Sequence, residues 1–306
     1  MKKRLRAVRE DNSMKKYDTL VMGAISLDIN IDYQNNVERE IGGAVVQSGW
    51  SAAGTGAKTA ILTKLNAKDA SVEAVFEGSG ADLYCADSKE TTSIRNQYFT
   101  ADKERRACNA LGKCDMMTMA DLPEIESELY HFAGLMVGDY DENMIIELSR
   151  RGKVAVDVQC LIRTVMPDRT MQFFDYAKKK EIFPYIYYLK ADAAEAEILT
   201  GQSDRYEAAK ILYSFGVKEV VISHNTEILV YDGKAFYTCP IKARNLSGRS
   251  GRGDTTFAAY ICERLNQDIP AALQYATACV SLKMETPGPF KGTRADVFAY
   301  IDEFYK

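Results

Sequence analysis

The strongest constraint on this chain is an alternation of short apolar runs of strand length with stretches of helical spacing. Thr19–Ala24 (TLVMGA), Glu128–Val137 (ELYHFAGLMV), Lys153–Val158 (KVAVDV), Ile186–Lys190 (IYYLK), Glu219–Ser223 (EVVIS) and Ile228–Tyr231 (ILVY) read as strands. Gly43–Leu65, Glu142–Arg151 and Arg205–Phe215 read as helical between them. Strands separated by helices of about 10–15 residues predict βαβ units, and so an α/β chain with a mostly parallel central sheet. At 306 residues the chain is long enough to bury such a core without disulfides or metals.

Two segments break the alternation. Asp28–Glu40 and Thr91–Leu111 are polar and alternating, with no helical pattern beside them. They predict exposed antiparallel strands forming a small β-flap, or lid, over the ligand-binding end of the sheet. Residues 14–306 then read as the folded unit. The basic stretch 1–13 (MKKRLRAVREDNS) has no apolar segment behind it, so it reads as a poorly ordered extension rather than a secretory signal.

Charge and composition exclude several function classes. A net charge of −4 disfavours nucleic-acid binding, which calls for a basic face. No apolar run reaches the length that would span a membrane. The seven cysteines are widely spaced and contain no CxxC, so they read as reduced thiols of a cytoplasmic protein. With two histidines, His131 and His224, a His-rich metal centre is disfavoured, and both read as structural.

The chemistry concentrates in Asn245–Leu265, NLSGRSGRGDTTFAAYICERL. Gly248, Gly251 and Gly253 precede Asp254, and Phe257, Tyr260, Ile261 and Leu265 then recur at helical spacing. A glycine-rich loop that opens a helix brings backbone N–H groups close to an anion, and the helix dipole adds a favourable field. A carboxylate at that mouth is placed to take a proton from a hydroxyl attacking phosphorus. The plain alternative is a glycine turn with Asp254 as an ordinary cap.

These residues resemble the ribokinase-like (PfkB) carbohydrate kinase family, whose late motif reads D-T-x-G-A-G-D-[ST]. Ser250-Gly251-Arg252-Gly253-Asp254-Thr255 occupies its core. Gly42-Gly43 before a small-residue helix matches the family's glycine pair, and GAISLD places Asp28 where the family holds substrate hydroxyls. KADAAEAEILTG resembles N-x-x-E-A-x-x-L-[TS]-G and places Asp192 and Glu195. ATACVSLKMETPGPFKGT, which contains Gly288, resembles the segment that closes over the nucleotide base.

The resemblance implies a three-layer α/β/α fold and an ATP-dependent kinase acting on a hydroxyl of a small molecule, a sugar or next a nucleoside. Asp254 would be the general base, with the N–H groups of Gly251, Arg252 and Gly253 forming an anion hole. Asp28, Gly42, Gly43 and Gln47 would line the acceptor pocket, and Glu195 with Asp192 would hold Mg²⁺ through water. Ser223, Asn225 and Gly288 would contact the nucleotide. Pairing between lids would give a homodimer.

Each assignment has a structural alternative. Asp28 could end a strand, Gly42-Gly43 could be a tight turn, and Glu195 could lie on a solvated helix face. Arg106 reads as an exposed cation rather than a phosphate or substrate contact. The departures from the family pattern are specific. Its aspartate six residues before the base, which helps bind a monovalent cation, is Gly248 here, and this puts potassium activation in doubt. Its T-x-G-x-x-G reads Ser223-His224-Asn225-Thr226-Glu227-Ile228, without either glycine. The lost glycines motivate a non-catalytic, metabolite-binding relative as a competing reading. Neither a Walker A lysine nor a Rossmann GxGxxG is in place.

Overall fold

A computed structural model describes residues 14–100 and 105–306; the stretch 1–13 expected as an extension lies outside the described residues. The chain opens with β1 (Lys15–Met22), the hairpin β2 (Ser26–Ile31) and β3 (Val37–Gly42), and helix α1 (Ala44–Gly54). Strands β4 (Thr59–Leu65) and β5 (Asp82–Asp87) follow, then the hairpin β6 (Ser93–Tyr98) and β7 (Arg106–Gly112). The middle of the chain holds β8 (Ile125–Phe132), α2 (Asn143–Ser149), β9 (Lys153–Asp157), α3 (Gln159–Ile162), β10 (Arg163–Val165), β11 (Met171–Phe173) and α4 (Lys179–Ile182). After β12 (Tyr188–Asp192) come α5 (Ala193–Thr200), α6 (Arg205–Ser214), β13 (Glu219–Ser223), β14 (Glu227–Tyr231) and β15 (Phe236–Pro240). Helices α7 (Arg252–Glu263), α8 (Ile269–Lys283) and α9 (Arg294–Phe304) finish the chain.

The main sheet has nine strands in the order β15-β14-β13-β12-β9-β8-β1-β4-β5. All neighbours from β5 to β13 pair in parallel, and β14 and β15 are antiparallel at one edge. Alternation along the strands divides the core. Val21, Ala155 and Val221 join α1, α7, α8 and α9 on one face, while Leu20, Met22, Val154, Val156, Val220 and Ile222 join α2 to α6 on the other. The result is helix, sheet, helix.

Gly43–Leu65 is two elements rather than one helix. Helix α1 stops at Gly54, Gly56 turns the chain at φ 88°, and TAILTKL forms β4, buried at every residue. A strand buried on both faces is continuously apolar, so its sequence does not distinguish it from a helix. The expected strand Glu128–Val137 leaves the sheet after Phe132. There the Asp139 carboxylate accepts the N–H groups of Leu135 and Met136 at 2.7 and 3.0 Å and closes a turn.

The two polar segments form a separate four-stranded sheet, β3-β2-β6-β7. Its hairpins are antiparallel, but they meet in parallel through β2 and β6, a correction to the expected antiparallel set. Nor is the sheet wholly exposed, because Ile94, Asn96 and Tyr98 are buried on its inner face.

Candidate active site

Strands β8, β9 and β12 pack against α7, and Lys190 near the carboxyl end of β12 reaches its first turn, at the end of an open parallel sheet where ligands bind. Gly251 is the N-cap of α7, left-handed at φ 77°, and it has no side chain to cap the helix. Geometry leaves the first N–H groups of a helix without intrahelical partners. The Arg252 N–H turns back to the Arg249 carbonyl at 3.3 Å, so it is not one of the free amides expected of an anion hole, and the Thr255 N–H closes the first helical turn on the Gly251 carbonyl at 3.0 Å.

Two walls hold this turn in place. On one side, a β-carbon on Gly251 would lie 2.3 Å from Cδ of Gln47, and the Ser51 hydroxyl donates to the Thr255 carbonyl at 2.8 Å. Gln47 is buried with its Oε1 lacking a hydrogen-bond partner. It packs against the Gly251 loop. On the other side, a β-carbon on Gly253 would lie 2.9 Å from Nζ of Lys190.

Lys190 is the centre of a buried charge cluster. Its ammonium donates to Asp157 Oδ2 at 2.9 Å and lies 3.6 Å from Glu195 Oε2. Burial opposes that charge, yet Asp157 and Glu195 hold it above the ordinary lysine range. Burial raises the carboxyl pKa values of Asp157, Glu195 and Asp254, against the pull of the same ammonium. Asp192 and Glu195 sit at the start of α5 and cap it reciprocally: Asp192 N–H donates to Glu195 Oε2 at 2.7 Å, and Glu195 N–H to Asp192 Oδ1 at 2.8 Å.

Beyond Gly43 and α1, the second sheet presents a polar inner face. Asp28 accepts the Ser26 hydroxyl, and a β-carbon on Gly42 would lie 3.1 Å from Asp28 Oδ2. Gly43, at φ 104°, would meet the Ala24 carbonyl at 2.4 Å, so only glycine allows this approach. Asp28, Gly42 and Gly43 are therefore together. A relay crosses the strands beside them: Asn30 Nδ2 donates to Glu40 Oε2 at 2.9 Å, Asn96 Nδ2 to Asn30 Oδ1 at 3.0 Å, and the Cys108 thiol to Asn96 Oδ1 at 3.2 Å. Burial raises the Asp28 carboxyl, opposed by the Ser26 hydrogen bond and the charge of Arg106. Arg106 is solvent-exposed, as expected, but its guanidinium donates to the Tyr98 hydroxyl at 3.3 Å and faces Asp28.

The expected nucleotide contacts are spread out. Ser223 ends β13 and is buried, Asn225 is exposed in the β13–β14 turn, and Gly288 lies in open space at φ 84°. Ile228 is a fully buried core residue of β14. The loop before α7 is stitched to the end of α8. Arg244 Nε donates to both oxygens of Glu285 at 2.9 and 3.0 Å, the Ser247 hydroxyl to the Glu285 carbonyl at 2.7 Å, and Gly248 N–H to the Met284 carbonyl at 2.7 Å.

Sequence reading missed Asp157, Lys190 and Lys283. The available signal was a charge closing an apolar run (KVAVD, IYYLK, CVSLK), since a buried charge needs a partner. The partners themselves come from other elements. His131 stacks edge-on against Phe257 at 5.1 Å inside the core, while His224 stays in the β13–β14 turn with Nδ1 2.9 Å from the Thr226 hydroxyl.

Residues 16–294 match the pfkB family carbohydrate kinase profile. A solved pyrophosphate-dependent kinase in the ribokinase family, in a sulfate complex, superposes with TM-score 0.85 at 32% identity, covering 92% of this chain and 99% of that one. The Arabidopsis thaliana ribokinase complexed with ribose and ATP shares the fold at TM-score 0.70 and 16% identity, covering 93% and 98% of the two chains. A cytidine kinase of Thermococcus kodakarensis is 24% identical over 255 residues, 80% of this chain and 87% of that protein.

Proposed function

The chain belongs to the pfkB family of carbohydrate kinases and is a phosphotransferase with an alcohol acceptor; from that premise we propose that it phosphorylates a sugar-like cyclic polyol and draws the phosphoryl group from pyrophosphate. One observation carries the donor assignment. The segment expected to close over a nucleotide base is laced through Met284 and Glu285 to Arg244, Ser247 and Gly248 of the strip before α7, while the adjoining loop carries Arg249 and Arg252. A compact, dense anion suits that surface better than an adenosine. The missing glycines at Asn225 and Ile228 support the same reading, as does the likeness to a pyrophosphate-dependent kinase at 32% identity. ATP is the second reading, and membership of the family supports it.

Asp254 takes the proton from the attacking hydroxyl, and the amides at the mouth of α7 stabilise charge on the transferred group. The Asp28, Asn30, Glu40 and Asn96 face offers donors and acceptors to a ring of hydroxyls, and a related kinase was solved with a pyrophosphate analog and myo-inositol. A nucleoside acceptor is the alternative, and the cytidine kinase relative favours it.

Among the described residues no group of three or more His, Cys, Asp or Glu is built to cage a metal. The cap engages Asp192 Oδ1 and Glu195 Oε2, while Glu195 Oε1 takes only a long 3.5 Å bond from Gln159 Nε2, and these two carboxylates would hold a hydrated Mg²⁺. When bound, that ion would neutralise donor phosphate charge. Exposed Val37, Ile41 and Leu111 on the outer face of the second sheet support its closing a lid-to-lid homodimer. No helix among the described residues is long and apolar enough to cross a membrane. The seven free thiols support a cytoplasmic setting.

The test follows product by ³¹P NMR with Mg²⁺, a polyol and nucleoside panel, and either pyrophosphate or ATP. Turnover of a polyol with pyrophosphate, lost by about 10²–10⁴-fold in Asp254→Asn, is the expected result. Turnover with ATP alone overturns the donor assignment. Metabolite binding without turnover under either donor leaves the non-catalytic reading in its place.

A further inference from the structure

The last residue of α8, Lys283, is used by none of the roles above. The residue is 2% exposed. Its ammonium donates to the Gly248 carbonyl at 2.6 Å and also to the Ser250 carbonyl, two oxygens of the loop that ends at the Gly251 cap. The charged groups that face it are Asp254 and Glu40, which favour the ammonium, and Arg252, which opposes it. A buried cation that spends its charge-assisted hydrogen bonds on two loop carbonyls fixes the strip leading into the Gly251 cap.

We infer that Lys283 is a built-in monovalent cation for the anion-binding loop, a positioning residue whose ammonium does the work of a bound potassium ion and makes the enzyme independent of one. Position 248 has no room for a side chain that could help hold a free cation beside that ammonium: a β-carbon there would lie 1.9 Å from the Thr286 carbonyl oxygen and 2.9 Å from that of Lys283. Both are backbone atoms that cannot swing away. Gly248 is therefore the partner of Lys283: the glycine lets the strip close on α8, and the ammonium takes the carbonyls that closure brings together. This inference rests on the loop being the donor phosphoryl site, but its physical core does not depend on which donor or acceptor is used.

The experiment uses the full chain with chloride salts of potassium, rubidium, ammonium and tetramethylammonium. For the wild type, melting temperature and turnover are expected to be the same in all four, and crystals soaked in rubidium should show no anomalous peak beside Gly248 and Ser250. Lys283→Met is expected to melt lower in tetramethylammonium and to regain stability with potassium, rubidium or ammonium. Rubidium should then appear between the two carbonyls. Its turnover is expected to fall about 10²-fold, the scale set by misplacing a reacting group by an ångström, and to recover with ammonium. Wild-type stimulation by potassium, or a rubidium peak in wild-type crystals, overturns the inference without any variant. Full activity of Lys283→Met in tetramethylammonium also overturns it. Melting and anomalous scattering are read whether or not turnover has been found, so failure here is separable from failure of the kinase assignment.

Discussion

Replacing Lys190 by methionine keeps most of the stem and deletes the one ammonium between Asp157 and Glu195. The side chains of these carboxylates are 4% and 3% exposed, and they lie 2.9 and 3.6 Å from Nζ. Breaking a buried ion pair from one side leaves an uncompensated charge and costs about 3–5 kcal/mol, far more than deleting a surface pair. At roughly 2–4 °C per kcal/mol, the melting temperature of Lys190→Met should fall by about 6–20 °C. The deficit should also depend on pH. Without the ammonium, the buried carboxyls keep raised pKa values in the folded state. A raised folded pKa contributes stability below the unfolded value and loses it as pH rises, so the deficit should be smaller near about pH 5 than near about pH 8. The double variant Lys190→Met/Asp157→Asn, which removes one stranded charge, should recover part of the loss. Thermal and urea unfolding across pH check this. A deficit under about 1 kcal/mol that does not change with pH would refute the view that the cluster is held by that ammonium.

Two further outcomes follow from the helix mouth. Gly251→Ala places a β-carbon 2.3 Å from Gln47 Cδ at φ 77°, and the left-handed backbone alone costs about 1–2 kcal/mol. Turnover should drop more than binding of the acceptor, and Gln47→Ala in the same chain should relieve the clash but not the backbone cost, as read by steady-state kinetics and melting. The second concerns pH. Burial lowers the Lys283 pKa to about 8, against the attraction of Asp254 and Glu40 and with the repulsion of Arg252. Turnover should therefore decline as pH rises through about 8, as the loop loses its cation. Stability should move the opposite way between about 8 and the unfolded value of 10.5, because there the unfolded chain binds the proton that the folded one has released. A parallel pH series of turnover and melting, repeated on Lys283→Met, separates the two; an alkaline limb retained in the variant assigns it elsewhere.

The sequence carried the elements whose signal is local. A glycine-rich turn entering a helix, GG before a run of small residues, and apolar runs of strand length are written in neighbouring residues, so the parallel sheet and the place of Asp254 could be read directly. Local signal failed where one pattern serves two structures: TAILTKL is apolar because both faces of β4 are covered, which mimics the continuation of α1. Only the fold decided the charge network. Asp157, Lys190 and Glu195 lie on three elements, and Lys283 meets Gly248 across 35 residues of sequence. Whether a lysine in an apolar run is tolerated depends on the oxygens that the fold brings to its ammonium, and those depend on the register of other strands and helices. Gln47 makes the same point: its packing against Gly251, 204 residues away in sequence, appears only in the fold. Backbone preference and apolar periodicity act over a few residues and are read along the chain, whereas electrostatics and steric fit act through space and appear only once the chain has closed on itself.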